Sequence, residues 1–268
     1  MLPIFPVLKP KVSLIFINYQ SIWHLQRSLE SLCDYESYGI EREIIVVNND
    51  PSEEKALFIL QKRYLFILVR SDKNEGFAKA ANLGASLATG EFLGFINPDT
   101  LWIEEVLPQV LSDFAILPSC GALGIQLVDE KGNVDVFDSG KEVNALRTLT
   151  NHFLFTRSRT NLPLQRTGWV SGGALFLKKA LFLSLGGFNE EYFLYFEDVD
   201  LCQRIRKNGL SIYKDGRIKL LHYGGKSHSS EASKKQYYYA SQDLYFQKHR
   251  PYLEGKIISF VRALVYGR

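Results

Sequence analysis

Cysteine is scarce in this chain, and long apolar runs are missing. The 268 residues contain three scattered cysteines and no Cys-x-x-Cys pair, a usage that favours reduced thiols in a cytosolic protein. No apolar stretch reaches the roughly 20 residues that span a bilayer. Residues 1–11 have prolines within their apolar part, unlike a signal peptide. We therefore expect a cytoplasmic protein, either soluble or peripheral on the inner face of the cell membrane.

Several signatures of common enzymes are missing as well. The chain has no Gly-x-Gly-x-x-Gly and no Gly-x4-Gly-Lys-Ser/Thr segment, which argues against an ordinary dinucleotide-binding enzyme or a P-loop NTPase. No Ser/His/Asp order or paired-histidine pattern indicates hydrolytic chemistry. Candidate functional residues must therefore be sought among the remaining polar groups.

Charge is nearly balanced overall, but the C-terminal segment is basic. The formal net charge is +3, and residues 234–268 hold seven Lys and Arg against Asp243 and Glu254. Aromatic residues are interleaved with them: Tyr237, Tyr238, Tyr239, Tyr245, Phe246, Tyr252, Phe260 and Tyr266. This mixture suits an anionic membrane surface, and equally a closing helix whose rings pack on the core. No nucleic-acid partner is expected, because neither half of the chain has a strong basic field.

Apolar runs alternate with amphipathic segments along the first hundred residues. Buried strands are predicted at 12–17, 43–47, 65–69 and 92–96. One helix is predicted after Ser21, which would be its N-cap. Another is predicted over 78–89, with Gly90 as its C-cap. Residues 126–168 are polar and are interpreted as a variable, substrate-facing region. The alternation predicts an α/β fold with a mostly parallel sheet flanked by helices.

Polar residues follow three of the predicted strands, namely Asn18, Asn48 to Asp50, and Asn97 to Asp99. Open α/β sheets bind ligands beyond the carboxyl ends of their strands. Asp99 at such an end suits a hard cation such as Mg²⁺ or Mn²⁺, with phosphate oxygens as further ligands. The same Asn-Pro-Asp-Thr segment is equally typical of a type I turn.

A second acidic group opens a later helix and comprises Glu197, Asp198 and Asp200. Carboxylates crowded beside aromatic rings tend to have raised pKa values, which suits a general base that takes a proton from an alcohol. The helix dipole explains acidic residues in a first turn equally well. His222 ends another apolar run, where it is either a structural residue or a neutral imidazole that completes a mixed metal site.

Five segments form an ordered series: Asn74-Glu-Gly-Phe-Ala-Lys-Ala-Ala-Asn82, Ala88-Thr-Gly-Glu-Phe-Leu, Asn97-Pro-Asp-Thr100, Trp169-Val-Ser-Gly-Gly-Ala, and Gly186 through Arg206 to His222. Over about residues 11–250, this series resembles the inverting family 2 glycosyltransferases of the GT-A fold, and among them the rhamnosyltransferase-like members. The resemblance implies one Rossmann-like domain over 1–233, with a nucleotide-binding half at about 11–100 and an acceptor-side half at about 101–233. Residues 234–268 would form an appended helical segment.

The resemblance also implies roles by position. Asp99 would hold the divalent ion on the donor diphosphate, and His222 would complete the metal site. Asp198 would be the catalytic base, with Glu197 as its acidic neighbour. The nucleotide pocket would contain Asn18, Tyr19, Asn48, Asn49, Asp50, Asn74, Gly76, Phe77, Asn82 and Asn97. Asn97 replaces the first acid of the family's Asp-x-Asp-like motif, and many relatives have Asp at the position of Asn48.

By resemblance, the preferred donor is dTDP-L-rhamnose, and the acceptor is a growing bacterial surface polysaccharide, such as O-antigen, on a lipid carrier. A transferase for another donor, such as a UDP-sugar, is one alternative. A non-catalytic nucleotide-sugar or glycan-binding protein of the same fold is another. A nucleotidyltransferase is disfavoured, because Asn18-Tyr-Gln-Ser21 is not the Gly- and Lys/Arg-rich loop that such enzymes carry near their first strand.

Overall fold

The computed structural model describes residues 11–35, 39–135, 137–154, 163–224 and 231–266. The strands are β1 (Lys11–Asn18), β2 (Glu41–Asn48), β3 (Ile67–Arg70), β4 (Phe92–Ile96), β5 (Thr100–Trp102), β6 (Cys120–Val128), β7 (Ser139–Gly140), β8 (Leu164–Thr167), β9 (Trp169–Val170), β10 (Ala174–Lys178) and β11 (Ser211–His222). The helices are α1 (Ile22–Cys33), α2 (Glu54–Tyr64), α3 (Phe77–Leu87), α4 (Leu107–Ile116), α5 (Ala145–Leu154), α6 (Lys179–Ser184), α7 (Glu197–Lys207), α8 (Glu231–His249) and α9 (Tyr252–Tyr266), with a 3-10 helix at Pro51–Glu53.

One central sheet runs in the order β3-β2-β1-β4-β10-β6-β11-β5, and β8 pairs with β11. Strands β3, β2, β1 and β4 are parallel, as the sequence predicts. Strand β10 runs antiparallel to both β4 and β6, and β11 pairs antiparallel with β5 and β8. The α/β fold is confirmed, and its sheet is mixed. Parallel neighbours need long crossover connections. The later half of the chain lacks them at β8, β9 and β10, which follow one another without an intervening helix, and this half contributes the antiparallel pairs.

Strand β1 is buried on both faces, and it separates two apolar clusters. Leu14 and Phe16 pack with α1 and α2 on one face, and Ile15 packs with the small residues of α3 on the other. This division follows from the two-residue period of a strand. Gly84 brings α3 close to the sheet, since a Cβ there would lie 2.7 Å from Ile15 Cγ2.

Two local predictions are corrected. Ser21 stands at the N-cap of α1, but its side chain makes no capping hydrogen bond. Instead, Glu53 accepts hydrogen bonds from the backbone N–H groups of Ser21 and Ile22, at 3.2 and 3.3 Å. Gly90 is not the C-cap of α3, because the helix ends at Leu87 and is followed by extended Ala88. A Cβ at Gly90 would lie 2.8 Å from Lys11 O, so this glycine permits close packing against β1.

The region between residues 126 and 168 is less irregular than the sequence suggests. It contains the end of β6, the short strands β7 and β8, and α5, while residues 155–162, with Arg157 and Arg159, lie outside the described residues. Local composition could not reveal these strands, because β7 and β8 each pair with partners distant in sequence.

A third apolar cluster joins the C-terminal helices to the rest of the chain. Tyr245 and Phe246 of α8 are fully buried and pack with Tyr192, Phe196 and Val199 around the start of α7. The rings of Phe196 and Tyr245 lie 5.6 Å apart. For these residues of the basic aromatic segment, packing on the core is therefore the correct interpretation.

We expect Phe246→Ala to lower the free energy of unfolding by about 3–5 kcal/mol, because truncation of a buried ring leaves a cavity. Phe260→Ala is the matched control, since this α9 ring is 65% exposed and surface changes usually stay within about 0.5 kcal/mol. Urea denaturation of both variants measures the difference. Equal destabilisation by the two substitutions would contradict the packing of α8 against α7.

Candidate active site

The carboxyl ends of β1 and β2 carry a buried amide pair. Asn18 Nδ2 donates to Asn48 Oδ1 at 3.3 Å and to Glu53 Oε2 at 2.8 Å. Asn48 Oδ1 also accepts the backbone N–H of Asp50 at 3.1 Å, and Asp50 caps the following 3-10 helix through Ser52. Tyr19, next to Asn18, is half-buried. The structure therefore gathers these predicted pocket residues at one edge of the sheet, where the buried side chains bond mainly to one another.

Asn49, Asn74 and Gly76 form a second group at the same edge. Asn49 Nδ2 donates to Asn74 Oδ1 at 3.1 Å and to Gly76 O at 3.0 Å. Gly76 has φ +83°, and a Cβ there would lie 2.5 Å from Phe193 O. Only glycine tolerates both this backbone conformation and this approach, so the residue fixes the start of α3.

Phe77 and Asn82 of α3 connect this edge to the later half of the chain. The Phe77 N–H donates to Phe193 O at 2.8 Å. Asn82 Nδ2 donates to Phe188 O at 2.9 Å, and Asn82 Oδ1 accepts the Phe188 N–H at 2.8 Å. The Asn82 side chain, predicted for the pocket, therefore bonds to the segment before α7.

A turn after β4 positions Asp99. The Thr100 N–H donates to Asn97 O at 3.2 Å, which closes a turn over Pro98 and Asp99. The next residues form β5, whose Thr100 pairs with His222 at the end of β11. The turn interpretation and the metal interpretation of this segment are thus compatible, since the turn brings the Asp99 carboxylate to His222.

His222 lies between two carboxylates. Its Nε2 is 3.3 Å from Asp99 Oδ1, and its Nδ1 is 3.0 Å from Asp135 Oδ2. Burial lowers the pKa of His222, but the neighbouring Asp135 and Asp99 carboxylates outweigh this and raise it to about 9. Nε2 is buried without a well-directed hydrogen bond, and it lies beside the Asp99 carboxylate.

The donor set at this point fits a hard divalent cation. A carboxylate oxygen and an imidazole nitrogen are ligands that Mn²⁺ and Mg²⁺ accept. Within the described ranges, no group of three His, Cys, Asp or Glu side chains has the geometry of a metal site. Asp99 and His222 would therefore hold such an ion together with phosphate and water oxygens. Asp135 would orient His222 by accepting its Nδ1–H.

The start of α7 has an unusual backbone. Tyr195 and Phe196 have φ values of +69° and +66°, a conformation that is uncommon for bulky residues and that concentrates at functional sites. Glu197 follows at once, 5% exposed, with Oε2 unpaired. Burial, and then the charge of Asp198, raise the pKa of Glu197 well above its usual value.

The three acidic residues of α7 have different environments. Asp198 Oδ2 accepts the Gly172 N–H at 2.8 Å. Burial raises the pKa of Asp198, although the N–H groups of Gly172 and Val199 oppose this. Asp200 instead contacts Arg204 Nε at 2.7 Å and His249 Nε2 at 2.6 Å. Burial raises the pKa of Asp200, but these partners outweigh it and hold the pKa below its usual value. Asp200 is therefore ion-paired, whereas Asp198 accepts backbone N–H groups and has a raised pKa.

Two consecutive glycines connect the acidic groups. The Gly172 N–H donates to Asp198, and Gly173 O accepts the Asn97 N–H at 3.0 Å. Asp198 and the Asn97-Pro98-Asp99 turn are therefore fixed to the same loop between β9 and β10. The Asp198 carboxylate and the Asp99 turn are thus connected through two neighbouring residues.

Two residues of this site were not predicted from the sequence. Asp135 lies in a polar loop, 87 positions from His222, and no local signal marks it. In the sequence, Glu53 is one of several acids at the beginning of a helix, yet its carboxylate accepts hydrogen bonds from Asn18 and from the N-terminus of α1. Both act through contacts between distant segments, which local patterns do not encode.

Comparison with known proteins identifies the family of the chain. Residues 13–182 match the model of glycosyl transferase family 2, and residues 151–223 match a model described as the N-terminal domain of galactosyltransferase.

Similar proteins include rhamnosyltransferases. The N-acetylglucosaminyl-diphospho-decaprenol L-rhamnosyltransferase of Mycobacterium tuberculosis is 27% identical over 81% of this chain and 76% of its own length. Rhamnosyltransferase WbbL of Escherichia coli is 26% identical over 83% of this chain and 87% of its own length. A crystal structure of GalNAc-T7 with UDP, GalNAc and Mn2+ has a TM-score of 0.66 at 13% identity, over 91% of this chain and 49% of that chain. Because the family model matches more than half of its residues, the chain belongs to glycosyl transferase family 2.

Proposed function

We propose that this glycosyltransferase is a metal-dependent inverting enzyme that transfers L-rhamnose from dTDP-L-rhamnose to a hydroxyl of a lipid-linked surface glycan. The observation that carries the proposal is the loop at Gly172 and Gly173, which bonds Asp198 through one residue and the Asp99 turn through the next. Sugar transfer from an activated donor requires a base for the acceptor and a stabilised leaving group in one place.

Asp99 and His222 would hold the donor diphosphate through the divalent ion. The bound ion supplies positive charge to the departing diphosphate. Asp135 keeps the His222 ring in the orientation that points Nε2 toward Asp99, because its carboxylate accepts a hydrogen bond from the Nδ1–H group. The amides at Asn18, Asn48 and Asn49 would shape the wall of the nucleotide pocket.

Asp198 would take the proton of the acceptor hydroxyl. The acceptor oxygen then forms a bond to the anomeric carbon, the bond from that carbon to the diphosphate oxygen breaks, and dTDP leaves with the electron pair. Attack from the opposite face inverts the anomeric centre. The Gly172 N–H orients the Asp198 carboxylate, and the raised pKa of Asp198 strengthens it as a base.

We expect Asp198→Asn to reduce turnover by about 100- to 10,000-fold, the usual contribution of a general base, while donor affinity stays unchanged. The amide keeps the size of the side chain but cannot take the proton. Turnover and donor binding are measured in parallel, with Glu191→Gln as the control, because this nearby carboxylate is exposed. Unchanged turnover in Asp198→Asn would remove Asp198 as the base.

Asp99→Ala should abolish the Mn²⁺-dependent part of donor binding, because His222 alone cannot hold the ion. A thermal-shift titration of dTDP-L-rhamnose, with and without Mn²⁺, measures this, and Glu130→Ala, on the exposed surface, is the control. We expect dTDP-L-rhamnose to stabilise the wild type more than UDP-glucose or UDP-N-acetylglucosamine does. A metal titration identical in Asp99→Ala and wild type would contradict the metal role of Asp99. Stronger stabilisation by a UDP-sugar would identify that sugar nucleotide as the donor instead of dTDP-L-rhamnose.

The lipid-linked acceptor suggests contact with a membrane, which we assign to one face of α9. Leu253, Ile257, Phe260 and Leu264 form a single stripe at helical spacing, which we call the α9 stripe, with exposed fractions of 71%, 47%, 65% and 70%. None of the described helices is long and apolar enough to cross a membrane, so this contact would be peripheral.

Charge favours an anionic bilayer as the occupant of the α9 stripe. Exposed Lys256 lies beside the stripe, and the two acids of residues 234–268 are neutralised by Arg250 and Arg262. An apolar stripe with a lysine beside it, on a segment whose acids are already paired with arginines, is typical of helices that lie in the membrane interface.

We expect Phe260→Asp to weaken binding to vesicles that contain anionic lipid by at least about tenfold, since burial of one large apolar side chain contributes about 1.5–3 kcal/mol. Ile59→Asp in α2 is the control, because this residue is 70% exposed on another helix. Vesicle sedimentation measures the partition coefficient, and analytical ultracentrifugation checks whether the stripe instead joins two copies. Equal vesicle binding by both variants, or loss of a dimer in Phe260→Asp, would contradict membrane docking.

A further inference from the structure

Arg27 has an unusual environment near the site. Its guanidinium carbon lies 4.8 Å from the ring centroid of Trp23 and 5.0 Å from that of Tyr223. Trp23 precedes Arg27 by one helical turn, so both lie on the same face of α1, and Tyr223 directly follows β11. Cations within about 6 Å of an aromatic centroid are attracted to it. Two rings from two separate elements therefore hold the guanidinium in place.

The N–H donors of this guanidinium are unused within the part of the chain that the structure describes. Arg27 donates no hydrogen bond to any described residue and forms no ion pair with one. Arg63 makes an instructive contrast, because it also lies over a ring, that of Tyr64, but pairs with Glu30 at 3.1 Å. An arginine that is held by rings, half-buried and without a carboxylate has its planar set of donors ready for an external oxyanion.

The location indicates which oxyanion. The Tyr223 N–H donates to Asp99 O at 3.1 Å, and the preceding residue is His222. Tyr223 therefore connects Arg27 with Asp99 and, along the chain, with His222, the two residues that would hold the ion. Under the proposed function, on which this step rests, both substrates carry a diphosphate, one in the nucleotide donor and one in the lipid-linked acceptor.

We propose that Arg27, held by Trp23 and Tyr223, is a receptor for a diphosphate group. The guanidinium matches two phosphate oxygens with two parallel N–H donors, a geometry that a lysine cannot reproduce. The two rings already restrict this long, flexible side chain in the free protein, so little rotamer freedom is lost when the phosphate binds. Donor and acceptor diphosphates share this chemistry, and the experiment separates them.

The first measurement uses inorganic pyrophosphate in buffer with EDTA, so that no metal ion bridges the contact. The signal of the Arg27 Nε–H group is followed by NMR in the full chain and is expected to shift saturably, while that of Arg63 stays in place. Arg27→Lys keeps the charge but loses the planar fork, and it should weaken pyrophosphate binding about tenfold or more. An Arg27 signal that does not move would overturn the inference, and it would leave the proposed reaction untouched.

The second measurement identifies the source of the diphosphate. If the receptor serves the donor, Arg27→Gln raises the Kd of dTDP about 10- to 100-fold and leaves that of thymidine unchanged. If it serves the acceptor, the variant binds dTDP normally, but the KM of a sugar on a short alkyl diphosphate rises, and that of the same sugar on a plain alkyl chain does not. Arg63→Gln is the matched control. Equal constants in Arg27→Gln and wild type for every diphosphate would refute the receptor, whereas wild-type protein that binds no nucleotide would refute the proposed function instead.

Discussion

The antiparallel pairing of β10 with β4 is the constraint on which the site depends. Ala174 lies opposite Ile96, and one residue beyond this pair the Asn97 N–H donates to Gly173 O. The ladder therefore carries the loop between β9 and β10 over the end of β4. Its next N–H group, that of Gly172, then reaches the Asp198 carboxylate of α7. A shift of this register would place another residue opposite the Asn97 N–H and would move the Gly172 N–H away from the Asp198 carboxylate, because both contacts come from the backbone just before β10.

A second closure completes the arrangement. Strand β11 lies between β6 and β5, and its last residue, His222, meets the turn that holds Asp99. Asp135 then fixes the imidazole from the other side. Under the proposed function, these contacts would orient the ring and the carboxylate before the donor diphosphate and its ion bind, so that less ordering would be needed at the moment of binding.

The sequence predicted the first half of the fold well, because continuous apolar runs such as those around Phe16 and Phe95 identify strands buried on both faces. It also selected the residues that the structure brings together at one edge of the sheet, Asp99, Asp198 and His222. The local pattern could not distinguish the three acids of α7, since all fit a first helical turn equally well, and only the family resemblance assigned the base to Asp198. Their differences come from Arg204 on the same helix and from His249 and Gly172, which lie far from these acids in the chain.

The C-terminal segment shows the same division. Its composition of basic and aromatic residues follows from the sequence. Which rings are covered was decided only by docking: Tyr245 and Phe246 are buried against the start of α7, while Phe260 remains exposed. Local sequence determines secondary structure because backbone preference and apolar period act within a few residues. The burial and the pKa of a side chain depend on contacts between segments that only the folded chain brings together. The same contacts place Asp99, Asp135, Asp198 and His222 in one region.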